Sequence, residues 1–243
     1  MHVEGAHWNV PGNKIKVATN PSPIPERVAF VERSKYANYK PNPDLATSER
    51  CLKMLQDAGF EAEAAPQFDW LIDTFPMLVR MFPDGCPPIT IISQNSYFDP
   101  YFHLRIGTTL RPLRREGYMF IGSAGGVHNL YRADWKYMLK YRDSFALEAP
   151  PDRTHLEFRQ ALEDVICRNG GGPELRAGLV RLMKHPNFRD AHGTDDHYMA
   201  ACFIGGLVGE EEDRGAKGVL GAEIWELVSL HRSTETRLGC TMY

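Results

Sequence analysis

The residues best suited to chemistry lie in the stretch 122–130 (GSAGGVHNL), where a glycine-rich turn follows an apolar strand and is followed by one histidine. Glycine permits positive φ and the close approach of another group. A histidine at the end of a strand can be directed into a cleft, where it serves as a general acid or base near neutral pH. The stretch therefore predicts His128 as a catalytic residue, with turn capping as the structural alternative.

A second histidine has a comparable setting near the start of the chain. His7 adjoins Trp8 at the end of a predicted strand over residues 3–10. Neutral imidazole is the commonest protein ligand for metal ions, so His7 is a candidate metal ligand. The alternative is a histidine packed on the ring of Trp8.

The third candidate is His197, at a predicted helix start in the stretch 192–198 (HGTDDHY). Two histidines and a carboxylate, here Asp196, would form the facial triad typical of non-haem iron(II). Ordinary N-capping by Thr194 and Asp195 is the alternative, because carboxylates stabilise helix N-termini. His192 lies five positions before His197, so the two do not share a helical face and are not expected to chelate one ion together.

The remaining histidines and several cations are expected to have structural or solvent-exposed positions. His103 is expected to have a surface or packing role, and exposed positions are expected for His155, His185 and His231. A solvated helix face is expected for Arg111, Arg114 and Arg115. Cys202 is expected to lie in the core.

Bulk composition is that of a soluble α/β protein. The chain has 243 residues, 43% of them hydrophobic, and a net charge of −3, so nothing indicates nucleic-acid binding. No apolar run approaches the ~20 residues that cross a bilayer, and no secretory signal is visible. Five cysteines without CxxC spacing predict reduced thiols and a cytoplasmic location.

Strand and helix patterns alternate along the chain, which predicts a single α/β domain with a mainly parallel or mixed central sheet flanked by helices. Strands are expected at 3–10, 14–19, 60–65, 89–93 and 118–121, and an irregular segment at 20–43. Helices are expected after Asp44 and Asp99, and over 134–145, 154–167, 173–183 and 195–208, with a loop at 209–221.

Several of these motifs, in this order, resemble the LigB-type extradiol ring-cleaving dioxygenases, which include the DOPA extradiol dioxygenases, and above all their single-chain fungal branch. Residues 5–8 (GAHW) resemble the Ser-Ala-His-Trp ligand motif, 122–130 the motif of the catalytic histidine, and 192–198 the helix start that brings another ligand. Residues 98–115 and 135–151 are also similar, so the resemblance covers nearly the whole chain.

The resemblance implies an extradiol dioxygenase-like catalytic domain over residues 1–243. Iron(II), with zinc(II) as a substitute occupant, would be held by His7 and His197 and would bind a catechol-type aromatic diol beside dioxygen. His128 would act as base on a substrate hydroxyl and then as acid, and the ring would open next to the diol. Four residues would contact substrate or support the ligands: Asp196, His192, Trp70 and Asn129.

Three departures from the family pattern favour other functions. Only six residues precede His7, so the domain is expected to be N-terminally shortened and to lack a first ligand histidine; His2, five positions away in a strand, faces the opposite side. The sequence Asp69-Trp70-Leu71 stands where the family has Asp-His-Gly, and Ala200 replaces a proline. The alternatives are a non-catalytic binding or scaffold protein of the same fold, and a metal-free enzyme using His128 for hydration, isomerisation or C–C bond cleavage.

Overall fold

The computed structural model describes residues 1–28, 31–132, 152–169, 171–209, 216–224, 229–236 and 240–242. Within these ranges nine strands form one mixed sheet: β1 (His2–Val10), β2 (Lys14–Ala18), β3 (Glu61–Ala65), β4 (Thr90–Asn95), β5 (Phe120–Ser123), β6 (Val127–His128), β7 (Ala216–Ile224), β8 (Ser229–Thr236) and β9 (Cys240–Met242). The strand order is β3-β2-β4-β1-β5-β9-β8-β6, and β7 pairs with β8.

Helices flank this sheet, which confirms the predicted α/β class with a mixed central sheet. The helices of the described ranges are α1 (Leu45–Asp57), α2 (Phe75–Met81), α3 (Pro100–Leu110), α4 (Arg153–Arg168), α5 (Gly172–Leu182), α6 (Phe188–Ala191) and α7 (Asp196–Leu207). None of them combines the length and apolar character needed to span a membrane. The helix predicted at 134–145 lies outside the described residues.

The centre of the sheet is parallel and buried on both faces. Strand β1 pairs in parallel with β4 on one side and β5 on the other, so that His2 is opposite Thr90 and Phe120. Every residue of β4 is buried, which confirms the burial on both faces predicted for residues 89–93 and extends it to the polar Gln94 and Asn95. Alternate residues enter two apolar clusters, and Val3 lies in a different cluster from Phe120.

Local capping signals place two helices where the sequence predicts them. The Asp44 carboxylate accepts a hydrogen bond from the Thr47 amide at the start of α1, and Asp99 accepts one from the Tyr101 amide at the start of α3. Each side chain satisfies an amide that has no partner within the helix. Helix α1 is followed by Gly59 at φ +81°, a conformation that glycine adopts without strain.

Helix α7 is the most buried of the helices in the described ranges, and its backbone crosses α3 closely. Eleven residues of α7, from His197 to Leu207, are buried. A Cβ on Gly107 of α3 would lie 2.1 Å from the Phe203 carbonyl oxygen, so glycine is required at the crossing. The last carbonyls of α7 accept hydrogen bonds from two arginines: Arg111 donates to the Gly206 carbonyl, and Arg114 donates to the Leu207 carbonyl. The solvated face predicted for these two arginines is therefore wrong.

Two further predictions are corrected by the fold. The loop predicted at 209–221 is wrong from residue 216, because β7 begins at Ala216 and pairs along the length of β8. His155 is fully buried rather than exposed, and its Nε2 donates to the Asp190 carbonyl. The core position predicted for Cys202 is confirmed by its complete burial.

Candidate active site

Three histidines from separate parts of the chain lie together in the fold. His128 on β6 stacks on His197 of α7, with ring centroids 3.7 Å apart and planes 15° apart. The ring of His7 on β1 contacts His197 edge to face at a centroid distance of 5.2 Å. The three side chains predicted to carry the chemistry are thus brought together, with His197 in the middle.

An irregularity in β1 and a buried carboxylate determine the setting of His7. The register of β1 against β4 shifts between Glu4 and Asn9, a bulge that re-aims side chains. The Asp73 carboxylate accepts the His7 amide hydrogen at 2.6 Å, and the same oxygen lies 3.5 Å from Nδ1 of the ring. Trp8 stacks on Phe68 at 3.5 Å. The structure therefore pairs His7 with Asp73, and the indole of Trp8 with Phe68.

Acidic neighbours favour the protonated form of His7. Burial acts to lower the pKa of His7, but the hydrogen bond and charge of Asp73 oppose it, and the charges of Asp196 and Glu26 add to them. The net result is a pKa raised above its usual value. Asp196 thus influences His7 by its charge, while its carboxylate accepts a hydrogen bond from the Thr194 hydroxyl at 2.6 Å.

The glycine-rich turn contacts His197 directly. The Gly125 amide donates a hydrogen bond to Nδ1 of His197 at 2.9 Å, and the ring lies in the first turn of α7. A neutral imidazole that accepts at Nδ1 carries its proton on Nε2. The turn that leads to His128 therefore also determines which nitrogen of His197 is a donor.

His192 pairs with the strand that carries His128. A parallel bridge joins the backbones of His128 and His192. The ring of His192 is fully buried among Phe158, Phe188 and Tyr198, and burial lowers the pKa of His192 to about 3. It is therefore neutral at physiological pH and packs as an aromatic ring.

The side-chain amide of Asn129 forms hydrogen bonds with backbone atoms. Its Nδ2 donates to the carbonyls of Asp190 at 2.8 Å and Arg189 at 3.3 Å, and its Oδ1 accepts from the Tyr131 amide. These bonds fix the residue after His128 against α6. Asn129 therefore acts in the structure by positioning its neighbour.

Trp70, predicted beside the substrate, lies in the core. Its side chain is 1% exposed and belongs to the apolar cluster of Val3, Phe75 and Leu78. Its backbone pairs with Ile24 and Glu26. His2 is likewise buried, stacked on Phe120 at 4.5 Å, and lies away from His7 as strand alternation predicts.

The arrangement does not complete the iron(II) centre that the resemblance implies. Across the described ranges no group of three His, Cys, Asp or Glu side chains is placed to hold a metal ion. Coordination by Nε2 of His197 would require the proton on Nδ1, which instead accepts from Gly125. His7 and His197, as placed here, therefore do not fit a three-ligand centre.

Two polar features were missed from the sequence. The first is Asp73, which has no distinctive motif around it. The sequence feature related to it is the glycine at position 5, where the resembling motif has serine. The second is a fully buried pair in which Nδ1 of His103 lies 2.8 Å from the Glu4 carboxylate. Burial raises the pKa of Glu4, and the neighbouring His103 opposes that shift.

Comparison with known proteins finds sequence relatives that are named as dioxygenases. No family profile matches the chain. A 4,5-DOPA dioxygenase extradiol of Escherichia coli K12 is 22% identical over 206 residues, which cover 83% of this chain and 70% of that protein. Dioxygenase tasH of Hapsidospora irregularis is 26% identical over 213 residues, covering 85% and 63%. A 4,5-DOPA dioxygenase extradiol of Beta vulgaris is 27% identical over 129 residues, covering 52% and 47%.

A solved structure shares the fold. The crystal structure of an uncharacterized protein from Escherichia coli K12 superposes with a TM-score of 0.72 at 20% identity, covering 94% of this chain and 82% of that one. The sequence relatives are dioxygenases by name, and they are 22% to 27% identical to this chain. The chain spans less than two thirds of tasH and of the Beta vulgaris protein.

Proposed function

We propose that this chain is an extradiol-type dioxygenase that acts on a catechol-type aromatic diol with dioxygen, and that His128 exchanges the proton of a substrate hydroxyl. The observation that carries the proposal is the stack of His128 on His197 at 3.7 Å, with His7 against the same ring. The names of the sequence relatives support the same reaction class.

The residues of the chain would act on the substrate in distinct ways. His128 takes the hydroxyl proton on a ring nitrogen and returns it later, as acid–base catalysis requires. The bonds from Asn129 to Asp190 and Arg189 hold the backbone that carries His128. The resemblance implies iron(II), or zinc(II) as a substitute, but the described side chains do not complete a centre, so no step of the proposal is assigned to a metal.

A second candidate is a metal-free acid–base enzyme of the same fold. The Gly125 bond to Nδ1 of His197 favours it, because a ring that accepts at Nδ1 carries a proton, and not a lone pair, on Nε2. Such an enzyme would use His128 for hydration, isomerisation or C–C cleavage without consuming oxygen.

Oxygen uptake distinguishes the two candidates. The purified chain is incubated anaerobically with iron(II), desalted, analysed for metal, and offered catechol, protocatechuate and DOPA in an oxygen electrode. The first candidate predicts bound iron and catechol-dependent uptake that is lost in His128→Phe. Catechol binding without iron or oxygen uptake would overturn it and favour the second.

A cytoplasmic location is proposed on separate grounds. Cys51, Cys86 and Cys202 carry free thiols in the structure. Free thiols of this kind are typical of a reducing compartment. Fractionation of the source cells would test the proposal, and recovery outside the cytoplasm would contradict it.

A further inference from the structure

The carboxylate of Asp73 is held against His7 by more than one contact. Asp73 lies just before α2, and its side chain is 5% exposed. One carboxylate oxygen accepts the His7 amide hydrogen at 2.6 Å and lies 3.5 Å from Nδ1 of the ring. The other oxygen accepts from the Thr74 hydroxyl at 3.3 Å. The carboxylate is thus fixed beside both the backbone and the ring of His7.

Gly5 makes room for this carboxylate. A Cβ at position 5 would lie 2.2 Å from one Asp73 oxygen, 2.4 Å from its Cγ and 2.7 Å from the other oxygen. Contacts this short are excluded by van der Waals repulsion, so any other residue at position 5 would displace the carboxylate. The glycine that stands in place of the serine of the resembling motif is therefore a condition for the Asp73–His7 contact.

We propose that Asp73 is a positioning residue for His7, which holds the Nδ1–H of the neutral ring and leaves the lone pair on Nε2. Carboxylates commonly fix the tautomer and orientation of functional histidines in this way. The inferred tautomer is argued from the Asp73 contacts with the backbone and ring of His7; its use in catalysis rests on the proposed function.

This assignment gives the two neighbouring rings complementary roles. His197 accepts at Nδ1 and so carries its proton on Nε2, whereas His7 keeps a lone pair on Nε2. The two adjacent rings would therefore carry their protons on different nitrogens once His7 is neutral.

Nitrogen-15 NMR of the histidine side chains tests the proposal directly. Long-range proton–nitrogen spectra are recorded at about pH 9, where histidine is neutral, with His7 assigned by its loss in His7→Gln. The wild-type chain is expected to show the Nδ1–H form of His7 as the dominant species. A dominant Nε2–H form would overturn the proposal without need of any further variant.

Two variants and a control separate positioning from general disturbance. Asp73→Ala removes the carboxylate and Gly5→Ala displaces it, so both are expected to lose the Nδ1–H preference. Asp69→Ala removes a carboxylate of the same loop that accepts from the Ile24 amide, and should leave His7 unchanged. An unchanged His7 spectrum in either folded test variant would contradict the proposal. A wild-type Nδ1–H signal without oxygen uptake would instead overturn only the proposed function.

Discussion

The imidazole of His128 lies flat against that of His197, with their planes 15° apart. The stack places the proposed acid–base residue on a ring whose own hydrogen bonding is fixed by Gly125. Phenylalanine has a ring of similar size, so it can keep the stack while removing both nitrogens. The pair therefore allows chemistry to be separated from packing.

His128→Phe is expected to lower kcat for oxygen consumption at least about 100-fold, because acid–base catalysis typically contributes 10²–10⁴. The variant must remain folded for this loss of kcat to be assigned to chemistry. Steady-state oxygen uptake and thermal unfolding of the same preparations provide the measurement. Retention of wild-type kcat would remove His128 from the mechanism.

Gly107→Ala is expected to destabilise the fold by about 2–3 kcal/mol through overpacking. The new Cβ would meet the Phe203 carbonyl at 2.1 Å, and the backbone there has little room to move. The matched control is Gly205→Ala, whose Cβ would meet the flexible end of Leu179. Its cost should be below about 1 kcal/mol, because alanine also favours the helix. Equal urea midpoints for the two variants would contradict the backbone crossing.

Acid should destabilise the chain partly through His2. Burial, with the nearby N-terminal charge, lowers the pKa of His2 to about 3. The unfolded chain therefore binds this proton below its ordinary pKa of about 6.5, whereas the folded chain does not, and stability falls as pH decreases through that window.

His2→Phe should reduce this acid sensitivity while keeping the stack on Phe120. Between about pH 7 and pH 4.5, the wild type is expected to lose about 2–3 kcal/mol more stability than the variant. Urea unfolding at both pH values gives the comparison. Parallel losses in the two proteins would show that His2 is protonated without cost in the folded state.

Buried thiols should resist alkylation until the chain unfolds. Burial raises the pKa of Cys51 to about 12 and also raises that of Cys202, and both side chains are inaccessible. Iodoacetamide near neutral pH should therefore label Cys86, which is partly exposed, before these two. Peptide mass spectrometry before and after urea treatment gives the order. Rapid native labelling of Cys202 would contradict the packing of α7.

Features determined by neighbouring residues could be predicted from the sequence. The caps at Asp44 and Asp99, the turn at Gly59 and the apolar run of β4 all depend on short-range patterns, and the structure confirms them. The position of His128 after a glycine turn is of the same kind. These signals defined the fold class and the candidate histidines.

Features that depend on distant partners could not be predicted. Arg111 and Arg114 were predicted to lie on a solvated face, because the carbonyls that they bind are at the end of α7, more than 90 positions later in the sequence. Glu4 and His103 form a buried pair across 99 positions of sequence. Asp73 is likewise paired with a residue 66 positions away. In each case the sequence shows the polar group but not the partner that satisfies it.

The histidine cluster joins β1 at the beginning of the chain with β6 and α7 much later in it. We expect contacts between such distant segments to form late, because loop-closure entropy is lost before they contribute. The three rings will therefore approach one another only when most of the sheet has assembled. The rate at which these ring contacts return during refolding would thus report the rate of the last folding steps. A ribosome-bound chain should form them only after α7 has left the ribosome.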